Sequence, residues 1–239
     1  MTMMTAATAV ELQENRFRVE WPTYRKVIDN NCMFHREIYE RLHRLLADEA
    51  PRPFRFLDLA CGDASAMVGA LQETEISQYH GIDISVPALE LAADALAVLP
   101  CRVRLEQRDL TAALAGWREP FDVAWIGQSL HHFRAPEKLE LMRAIRRIVG
   151  GDGLFLIWEP TCLSGEDRED WVDRFEASRP LWSALDAEEW QAMLEHVRDG
   201  DYPETASRWR ELATEAGFAD TRELYSVPTD LARFYCFRA

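Results

Sequence analysis

The 239-residue sequence predicts an α/β fold: a doubly wound, mostly parallel sheet of seven strands that ends in an antiparallel hairpin. Three observations predict it. Short apolar runs alternate with amphipathic helical patterns between residues 54 and 160. The last two apolar runs are joined by only Pro228–Asp230, a link that is too short for a parallel crossover. The acidic segment 161–204 interrupts the alternation and predicts a helical insertion after the fifth strand.

The elements follow in chain order. Apolar residues at three-, four- and six- to seven-residue steps predict a helix over about 20–47, which Pro51 and Pro53 end. The predicted strands are Phe54–Leu59, Tyr79–Ile84, Arg102–Gln107, Phe121–Ile126, Leu154–Trp158, Thr221–Val227 and Ala232–Phe237. The predicted helices that accompany them are Ala64–Gln72, Pro87–Leu99, Pro136–Val149 and Thr205–Ala216, with two or three more inside the insertion.

The charge balance limits the partners. The chain carries 27 Lys and Arg against 41 Asp and Glu, a net charge of −14, which disfavours binding to nucleic acid. Segment 161–204 holds 13 of the acidic residues and only 4 basic ones. It is either a solvated helical surface or an entrance that attracts a cationic or amine substrate. No apolar run is long enough for a membrane helix, so we expect no membrane partner.

Two further features predict the location of the protein. Residues 1–10 lack a basic start and a long apolar stretch, which argues against a secretory signal and for a frayed tail. The five cysteines are odd in number, widely spaced and without a Cys-x-x-Cys pair. They predict neither a zinc site nor a disulfide framework. We therefore expect a cytoplasmic protein with reduced thiols and no metal site.

The most informative motif is the turn Asp58-Leu-Ala-Cys-Gly-Asp-Ala-Ser65 between the first strand and its helix. Such small-residue turns bring backbone N–H groups close to a nucleotide-like ligand. Asp83 closes the next strand about 20 residues later, and Asp109 follows the third. Nicotinamide-binding folds place an acid like Asp83 similarly, so this pair alone does not separate the cofactor classes.

Two later segments, Phe121–Phe133 and Arg146–Pro160, complete the pattern. Together the five segments resemble the class I S-adenosylmethionine (SAM)-dependent methyltransferases over about 54–160 and 205–239. The family's first loop usually reads acid-x-Gly-x-Gly-x-Gly, whereas Ala60, Gly62 and Ala64 occupy the three small positions here. The resemblance implies a Rossmann-like core, SAM as the cofactor, and transfer of a methyl group.

The resemblance also implies a set of cofactor contacts. Asp83 would accept hydrogen bonds from the ribose hydroxyls. Asp109 would bind the adenine amino group, unless it only caps the helix that follows it. In related enzymes an N-terminal helix folds over the cofactor as a lid, which would add Tyr24 and Arg36. The complete predicted set is Asp58, Ala60, Cys61, Gly62, Asp83, Ile84, Arg108, Asp109, Leu110, Gly127, Gln128, Tyr24 and Arg36.

The candidate catalytic residues are His131, His132 and Glu159. Methyl transfer is an in-line displacement, so alignment can supply much of the rate, and a base is needed only if the acceptor carries a proton. The resemblance puts the paired histidines beside the methyl carbon, where either could take a proton or simply pack on the cofactor. Glu159 could bind an amine, orient a histidine, or hold a loop amide.

The sequence thus predicts a SAM-dependent methyltransferase that acts on an oxygen or nitrogen of a small molecule. Its expected parts are a tail and helical lid (1–53), a SAM-binding core (54–160), an acidic helical substrate cap (161–204) and the end of the core (205–239). Non-catalytic SAM binding, different chemistry on SAM or a modified SAM, and NAD-dependent oxidoreduction are the alternatives. Monomer and homodimer both stay open. The tryptophans of the cap either line a pocket or form its core: Trp171, Trp182 and Trp190.

Overall fold

The computed structural model describes residues 21–239, in which seven long strands form one sheet. The strands are β1 Phe54–Leu59, β2 Ile76–Asp83, β3 Arg102–Gln107, β4 Val123–Gly127, β5 Leu154–Cys162, β7 Asp220–Ser226 and β8 Ala232–Arg238, and a two-residue β6, Glu204–Thr205, pairs with the end of β5. Their order across the sheet is β3-β2-β1-β4-β5-β8-β7. The first five are parallel, and β8 is antiparallel to both of its neighbours. This arrangement confirms the predicted fold class.

Helices cover both faces of the sheet. They are α1 (21–29), α2 His35–Glu49, α3 Ser65–Leu71, α4 Val86–Leu96, α5 Leu110–Ala115, α6 Ala135–Ile148, α7 Arg168–Ala177, α8 Ala187–Gly200 and α9 Ala206–Ala216. Short 3₁₀ turns form at Leu130–His132 and Arg179–Trp182. None of the helices in the described part of the chain has the length and apolar character that a bilayer-crossing segment requires.

The alternation of side chains along the strands builds two cores. Phe54 and Phe56 of β1 pack with α2, α3 and α4, whereas Leu57 and Leu59 pack on the opposite face with α5, α6 and α9. Burial on both faces explains why these strands read as nearly continuous apolar runs. Because β1 to β5 run in parallel, their carboxyl ends meet at one edge of the sheet, and the loops collected there form the site.

The expected single helix over 20–47 is wrong in one respect, because the chain breaks between α1 and α2. Asn31 and Phe34 have left-handed backbone conformations, with φ of 55° and 65°. Val27 of α1 packs against the insertion, whereas Ile38 and Leu42 of α2 pack on the sheet. Apolar residues on both sides of the break preserve a helix-like spacing, which conceals it in the sequence. The expected frayed tail, residues 1–10, lies outside the described residues.

Other boundaries also differ from the prediction. Strand β5 continues beyond Trp158 to Cys162, so Glu159 lies inside the strand and is completely buried. Pro160 is tolerated there, although proline cannot donate a ladder hydrogen bond. The sequence indicates helix α5 only as a segment that Asp109 could cap. It gives no signal for the two-residue strand β6.

Segment 161–204 forms a helical cap around its own aromatic core. Phe175 stacks between Trp171 and Trp190, with ring centroids 5.7 and 5.3 Å away. Val27 of α1 packs into the same cluster, and Lys26 of α1 pairs with Glu189 of α8 at 2.5 Å. The first described helix and the cap therefore form one continuous wall over the carboxyl edge of the sheet.

Candidate functional site

A cavity of about 620 Å³ lies between the carboxyl edge of the sheet and this wall. Four groups of residues line it: α1 and the start of α2, the loop after β1, the turn after β4, and the cap with the link between β7 and β8. Nine of the predicted site residues line it: Tyr24, Asp58, Ala60, Cys61, Gly62, Gly127, Gln128, His131 and His132. Seven do not: Arg36, Asp83, Ile84, Arg108, Asp109, Leu110 and Glu159.

The loop after β1 keeps a glycine-like backbone although it contains only one glycine. Ala60, Gly62 and Ala64 all have positive φ, at 60°, 55° and 50°. Alanine pays a steric cost in this region that glycine avoids. All three small positions of the loop, two of them alanines, therefore adopt the backbone conformation that favours glycine.

The Gly62→Ala substitution should weaken cofactor binding more than it weakens the fold. A Cβ at position 62 would meet no protein atom within 4 Å, so it would stand in open space on the cavity wall, where a ligand approaches the loop. The positive φ should cost about 1 kcal/mol of folding free energy. Titration with S-adenosylhomocysteine (SAH) and urea unfolding measure the two effects separately.

Gly69→Ala is the matched control for that substitution. A Cβ at position 69 would also have free space around it, but Gly69 lies inside α3 with an ordinary helical φ. Alanine should stabilise this position by roughly 0.8–1 kcal/mol and leave SAH affinity unchanged. Equal SAH affinity in Gly62→Ala and the wild type would contradict a ligand approach at Gly62.

Asp58, the acid that opens the loop, is buried in an unusual state. Its Oδ2 accepts a hydrogen bond from the Tyr79 hydroxyl at 2.6 Å. Burial raises the pKa of Asp58 to about 7, with Asp83 adding to the rise and the Tyr79 hydrogen bond opposing it. The carboxyl group therefore changes its charge close to neutral pH, on the wall of the cavity.

We expect the Asp58 carboxyl to make the folded protein less stable as pH rises from about 4 to 7. The folded-state pKa lies above the unfolded value of about 3.9, so the folded chain binds the extra proton in this window. Asp58→Asn should remove this component, because the amide cannot titrate. Urea unfolding at pH 5 and pH 8 compares the two chains. An identical pH dependence in both would contradict the assignment.

Asp83 organises the loop from the neighbouring strand. Its Oδ2 accepts from the Gly62 N–H and its Oδ1 from the Ser85 N–H, both at 2.8 Å. Burial raises the pKa of Asp83, and these two hydrogen bonds oppose the rise. Asp83 thus holds the ends of β1 and β2 together, in addition to the cofactor role that the family resemblance implies.

Asp109 caps α5, and the adenine contact that the family resemblance implies for it stays a prediction. Its Oδ1 accepts from the Ala112 N–H at 2.9 Å and from the Thr111 hydroxyl. Arg108 lies on the surface, where its guanidinium bonds Glu106 and the Ala112 carbonyl. Ile84 and Leu110 lie beside these two residues, just beyond the carboxyl ends of β2 and β3. This group adjoins the cavity without lining it.

The two residues proposed from the N-terminal helix separate in the structure. The Tyr24 hydroxyl lies 3.4 Å from His35 Nε2 on the cavity wall, and burial raises the pKa of Tyr24 to about 12. Arg36 is exposed at the start of α2, and its guanidinium donates to the Asp29 carbonyl. The break between α1 and α2 turns Arg36 away from the cavity.

Glu159 shapes the turn after β4 from below. Its Oε1 accepts the N–H groups of Ser129 and Leu130 at 3.0 and 2.8 Å, and its Oε2 accepts the His131 N–H at 3.2 Å. The His131 Nδ1 lies 2.7 Å from Oε2. Glu159 does not reach the cavity, so it is a positioning residue for His131, and the expectation that it touches the acceptor is not supported by this geometry.

The paired histidines meet a residue that the sequence did not single out. His131 Nε2 lies 3.6 Å and His132 Nδ1 3.5 Å from Asp201 Oδ1, at the end of α8. Burial lowers the pKa of His131 to about 4 and that of His132 to about 3, so both imidazoles are uncharged near neutral pH. His196 of α8 also lines the cavity, with its ring centroid 5.4 Å from that of His132.

The cap tryptophans serve both of the expected purposes. Trp171, Trp182 and Trp190 are all buried in the cap core, and the first two also line the cavity. Two of their indole N–H groups are satisfied, by the Leu231 carbonyl for Trp171 and the Ser178 hydroxyl for Trp182, both at 3.0 Å. The cavity wall on this side is therefore aromatic and fixed.

Comparison with known proteins agrees with this geometry. A family model described as a methyltransferase domain matches residues 57–155. A comparison with curated protein sequences gave no match. The family match confirms the resemblance predicted from the five segments, and with it SAM as the cofactor.

Solved structures share the fold at low sequence identity. A possible exported protein from Bordetella parapertussis is 19% identical, with a TM-score of 0.63 over 85% of this chain and 67% of its own. A SAM-dependent methyltransferase from Leishmania major is 14% identical, with a TM-score of 0.60 over 85% and 72%. The [4+2]-cyclase SpnF is 18% identical, with a TM-score of 0.57 over 83% and 78%. Identities this low establish the common fold alone.

Proposed function

Because this chain carries a SAM-dependent methyltransferase domain at residues 57–155, we propose that it methylates an oxygen or nitrogen of a small-molecule acceptor held in the cavity. The observation that carries the proposal is the position of that cavity. It joins the loop after β1 to the paired histidines and the aromatic cap in one continuous cleft. Cofactor and acceptor can therefore meet there.

The lining residues fit a positively charged cofactor. Among the described residues that line the cavity, none is Lys or Arg, whereas five are carboxylates: Asp58, Asp63, Glu188, Glu189 and Asp201. A sulfonium and an ammonium are favoured in such surroundings. Gly62 leaves open space at the loop, and Asp83 and Asp109 stand at the adjacent strand ends. These residues would hold the amino-acid, ribose and adenine parts of SAM.

In the proposed methyl transfer, the cofactor supplies the reactive group and the protein positions the acceptor. Bound SAM supplies a methyl group on a positively charged sulfur, which leaves as a neutral thioether when the lone pair of the acceptor attacks. The protein has to align the acceptor, exclude water and receive the acceptor's proton. We assign the end of the cavity that accepts a hydrogen bond from the acceptor to His131 and His132, which lie beyond Gly127 at the carboxyl end of β4. Their pKa values of about 4 and 3 make them uncharged and weakly basic, so the proton would move through them to water.

The acceptor is proposed to be uncharged or cationic. An anionic acceptor would face five lining acids and no lining Lys or Arg among the described residues, although Asp63 and Glu189 are paired with Arg25 and Lys26 of α1. Trp171 and Trp182 offer aromatic surface that binds both apolar rings and cations. Segment 161–204 carries ten acidic residues besides the three that line the cavity, and they add to the negative charge of the cap.

The test is acceptor screening with separate detection of SAH and of the methylated product. Phenols, amines and carboxylic acids are incubated with SAM and the protein, and mass spectrometry reports the acceptors that gain a methyl group. We expect a phenol or amine to be methylated and carboxylates to be poor acceptors. Tight SAH binding without methylation of any acceptor would overturn the proposal in favour of a non-catalytic binder or different chemistry on SAM.

We propose a cytoplasmic protein without a nucleic-acid partner, supported by the net charge of −14 and the five unpaired cysteines among the described residues. We also propose the four-part division at residues 53, 160 and 204, in which the cap forms an aromatic cluster that Val27, Cys32 and Leu231 complete from the neighbouring parts. Monomer and homodimer stay open.

A further inference from the structure

We propose that His131, His132 and Asp201 bind one divalent first-row transition metal ion, such as Zn²⁺, on the wall of the cavity. The potential ligand atoms of the three side chains all lie within 4.8 Å of one another. Imidazole nitrogens with one carboxylate are the donor set that zinc, iron and related ions prefer. The three residues come from the turn after β4 and the end of α8, so the ion would join the core to the cap.

Two of the ligand-atom distances fit a metal ion. Asp201 Oδ1 lies 3.6 Å from His131 Nε2 and 3.5 Å from His132 Nδ1. Bonds of about 2.0–2.2 Å from a tetrahedral ion put neighbouring ligand atoms about 3.3–3.6 Å apart. Asp201 is only 4% exposed, yet its Oδ1 is buried without a hydrogen-bond partner among the described residues. A cation between these atoms would satisfy that oxygen. His132 Nδ1 also lies 3.3 Å from the Gly200 carbonyl, so this nitrogen would have to give up that contact and its proton to bind the ion.

The contact between Glu159 and His131 Nδ1 leaves the other ring nitrogen of His131, Nε2, facing the proposed metal site. Glu159 already accepts three backbone N–H groups, and we assign the proton of the 2.7 Å contact to His131 Nδ1. Burial raises the pKa of Glu159 to about 7, so this assignment holds above that pH. Nε2 is then left with a bare lone pair facing Asp201 Oδ1, two acceptors with no proton between them. A carboxylate behind a metal-binding histidine is the usual way in which proteins orient that ligand.

The surroundings hold the site in place and keep it negative. The Tyr202 N–H donates to the His131 carbonyl at 2.7 Å, and Arg168 donates to the Asp201 carbonyl at 2.6 Å. The nearby cation Lys138 is paired with Glu204 at 2.7 Å. A dication therefore meets the carboxylates of Glu159 and Asp201 without an unpaired Lys138 charge.

The side of the cluster that faces the cavity is where an acceptor would bind. Because His131, His132 and Asp201 all line the cavity, an ion on them would keep an open position toward it. Such an ion would act as a Lewis acid that lowers the pKa of a bound hydroxyl. Because the ion would occupy the lone pairs of His131 and His132, the proton of that hydroxyl would pass to water and not to these histidines. This role, unlike the metal site itself, rests on the proposed methyl transfer. The proposed site revises the expectation of no metal site, which rested on the cysteine spacing.

The site is tested by titrating metal-free, untagged protein with Zn²⁺ and Co²⁺, without SAM or acceptor. We expect one ion per chain by calorimetry and visible Co²⁺ absorption bands. Asp201→Asn and His132→Ala should each weaken Zn²⁺ binding at least tenfold. His43→Ala should leave it unchanged, because His43 lies outside the site, with its Nδ1 beside the Ala70 carbonyl. SAH titration of each variant confirms that it is folded.

Two results would overturn the proposed metal site. One is that the wild type binds no stoichiometric Zn²⁺ at micromolar concentration. The other is that Asp201→Asn and His132→Ala both bind Zn²⁺ as tightly as the wild type does. If one of the variants fails to fold, the other still decides. The Lewis-acid role has its own test. Removing the metal should lower kcat for a hydroxyl acceptor while SAH affinity is kept. An unchanged kcat would assign the ion to joining the cap and the core, and failure of all methylation would leave the metal titration interpretable.

Discussion

Asp83→Ala should weaken SAH binding by about 5- to 150-fold, which corresponds to about 1–3 kcal/mol. Two losses combine in this variant. The Gly62 and Ser85 N–H groups lose the carboxylate that accepts them at 2.8 Å, so the loop after β1 is no longer fixed against β2. The variant would also lose the ribose contact that we propose for Asp83. Because Gly62 lies on the cavity wall, loosening it also disturbs the amino-acid end of the ligand.

Calorimetric titration with SAH measures the effect of Asp83→Ala directly. Asp94→Ala is the matched control, since Asp94 is exposed on α4, the helix that follows β2, and should bind SAH as the wild type does. The SAH affinity of Asp83→Asn should lie between those of Asp83→Ala and the control, because the amide oxygen can still accept one of the N–H groups. If Asp83→Ala bound SAH with wild-type affinity, Asp83 would not contribute to cofactor binding and would only stabilise the loop after β1.

The core of the fold and the loop side of the site could be predicted because their signals are local. A buried strand followed by a small-residue turn is visible within eight residues, Asp58–Ser65, and parallel strands bring such turns to one edge. Asp58, Gly62 and the histidine pair are predictable in this way. The positive φ of Ala60 and Ala64 is not, since alanine normally argues against that conformation.

The cap side of the site could not be predicted because its contacts are not local. Asp201 meets His131 across 70 residues, and in the sequence it is one of 13 acids in an acidic segment. Only burial without a hydrogen-bond partner among the described residues distinguishes it. The prediction that Arg36 reaches the cavity was wrong for a related reason. The position of Arg36 depends on the break before α2, and the apolar spacing of the sequence conceals that break.

The sequence singled out Glu159 as a site residue, but its role depends on how deeply its side chain is buried. A carboxylate near the carboxyl end of a central strand suggested contact with the acceptor. Strand β5 instead runs on to Cys162, which leaves Glu159 fully buried behind the turn that carries His131. Its carboxylate oxygens accept backbone N–H groups instead. The effect of removing it is therefore expected on stability first, and on catalysis through the turn.

Glu159→Ala should lower the free energy of unfolding by about 3–5 kcal/mol. Three buried N–H groups, those of Ser129, Leu130 and His131, would lose their acceptor at once, and each unsatisfied group costs about 1–3 kcal/mol. Water that enters from the cavity would recover part of this loss. Glu159→Gln should cost less, because its remaining oxygen can accept from the turn. Urea unfolding of the two variants and the wild type measures the order.

Glu169→Ala is the matched control for charge, since the Glu169 side chain is 76% exposed on α7 and pairs with its neighbour Arg168. It should change stability by no more than about 0.5 kcal/mol. In folded Glu159→Gln, a positioning role predicts wild-type SAH affinity together with a lower kcat, because the turn that carries His131 loses its alignment. Wild-type stability of Glu159→Ala would contradict the buried hydrogen-bond network. A raised KM with unchanged kcat in Glu159→Gln would instead mean that Glu159 contacts the acceptor.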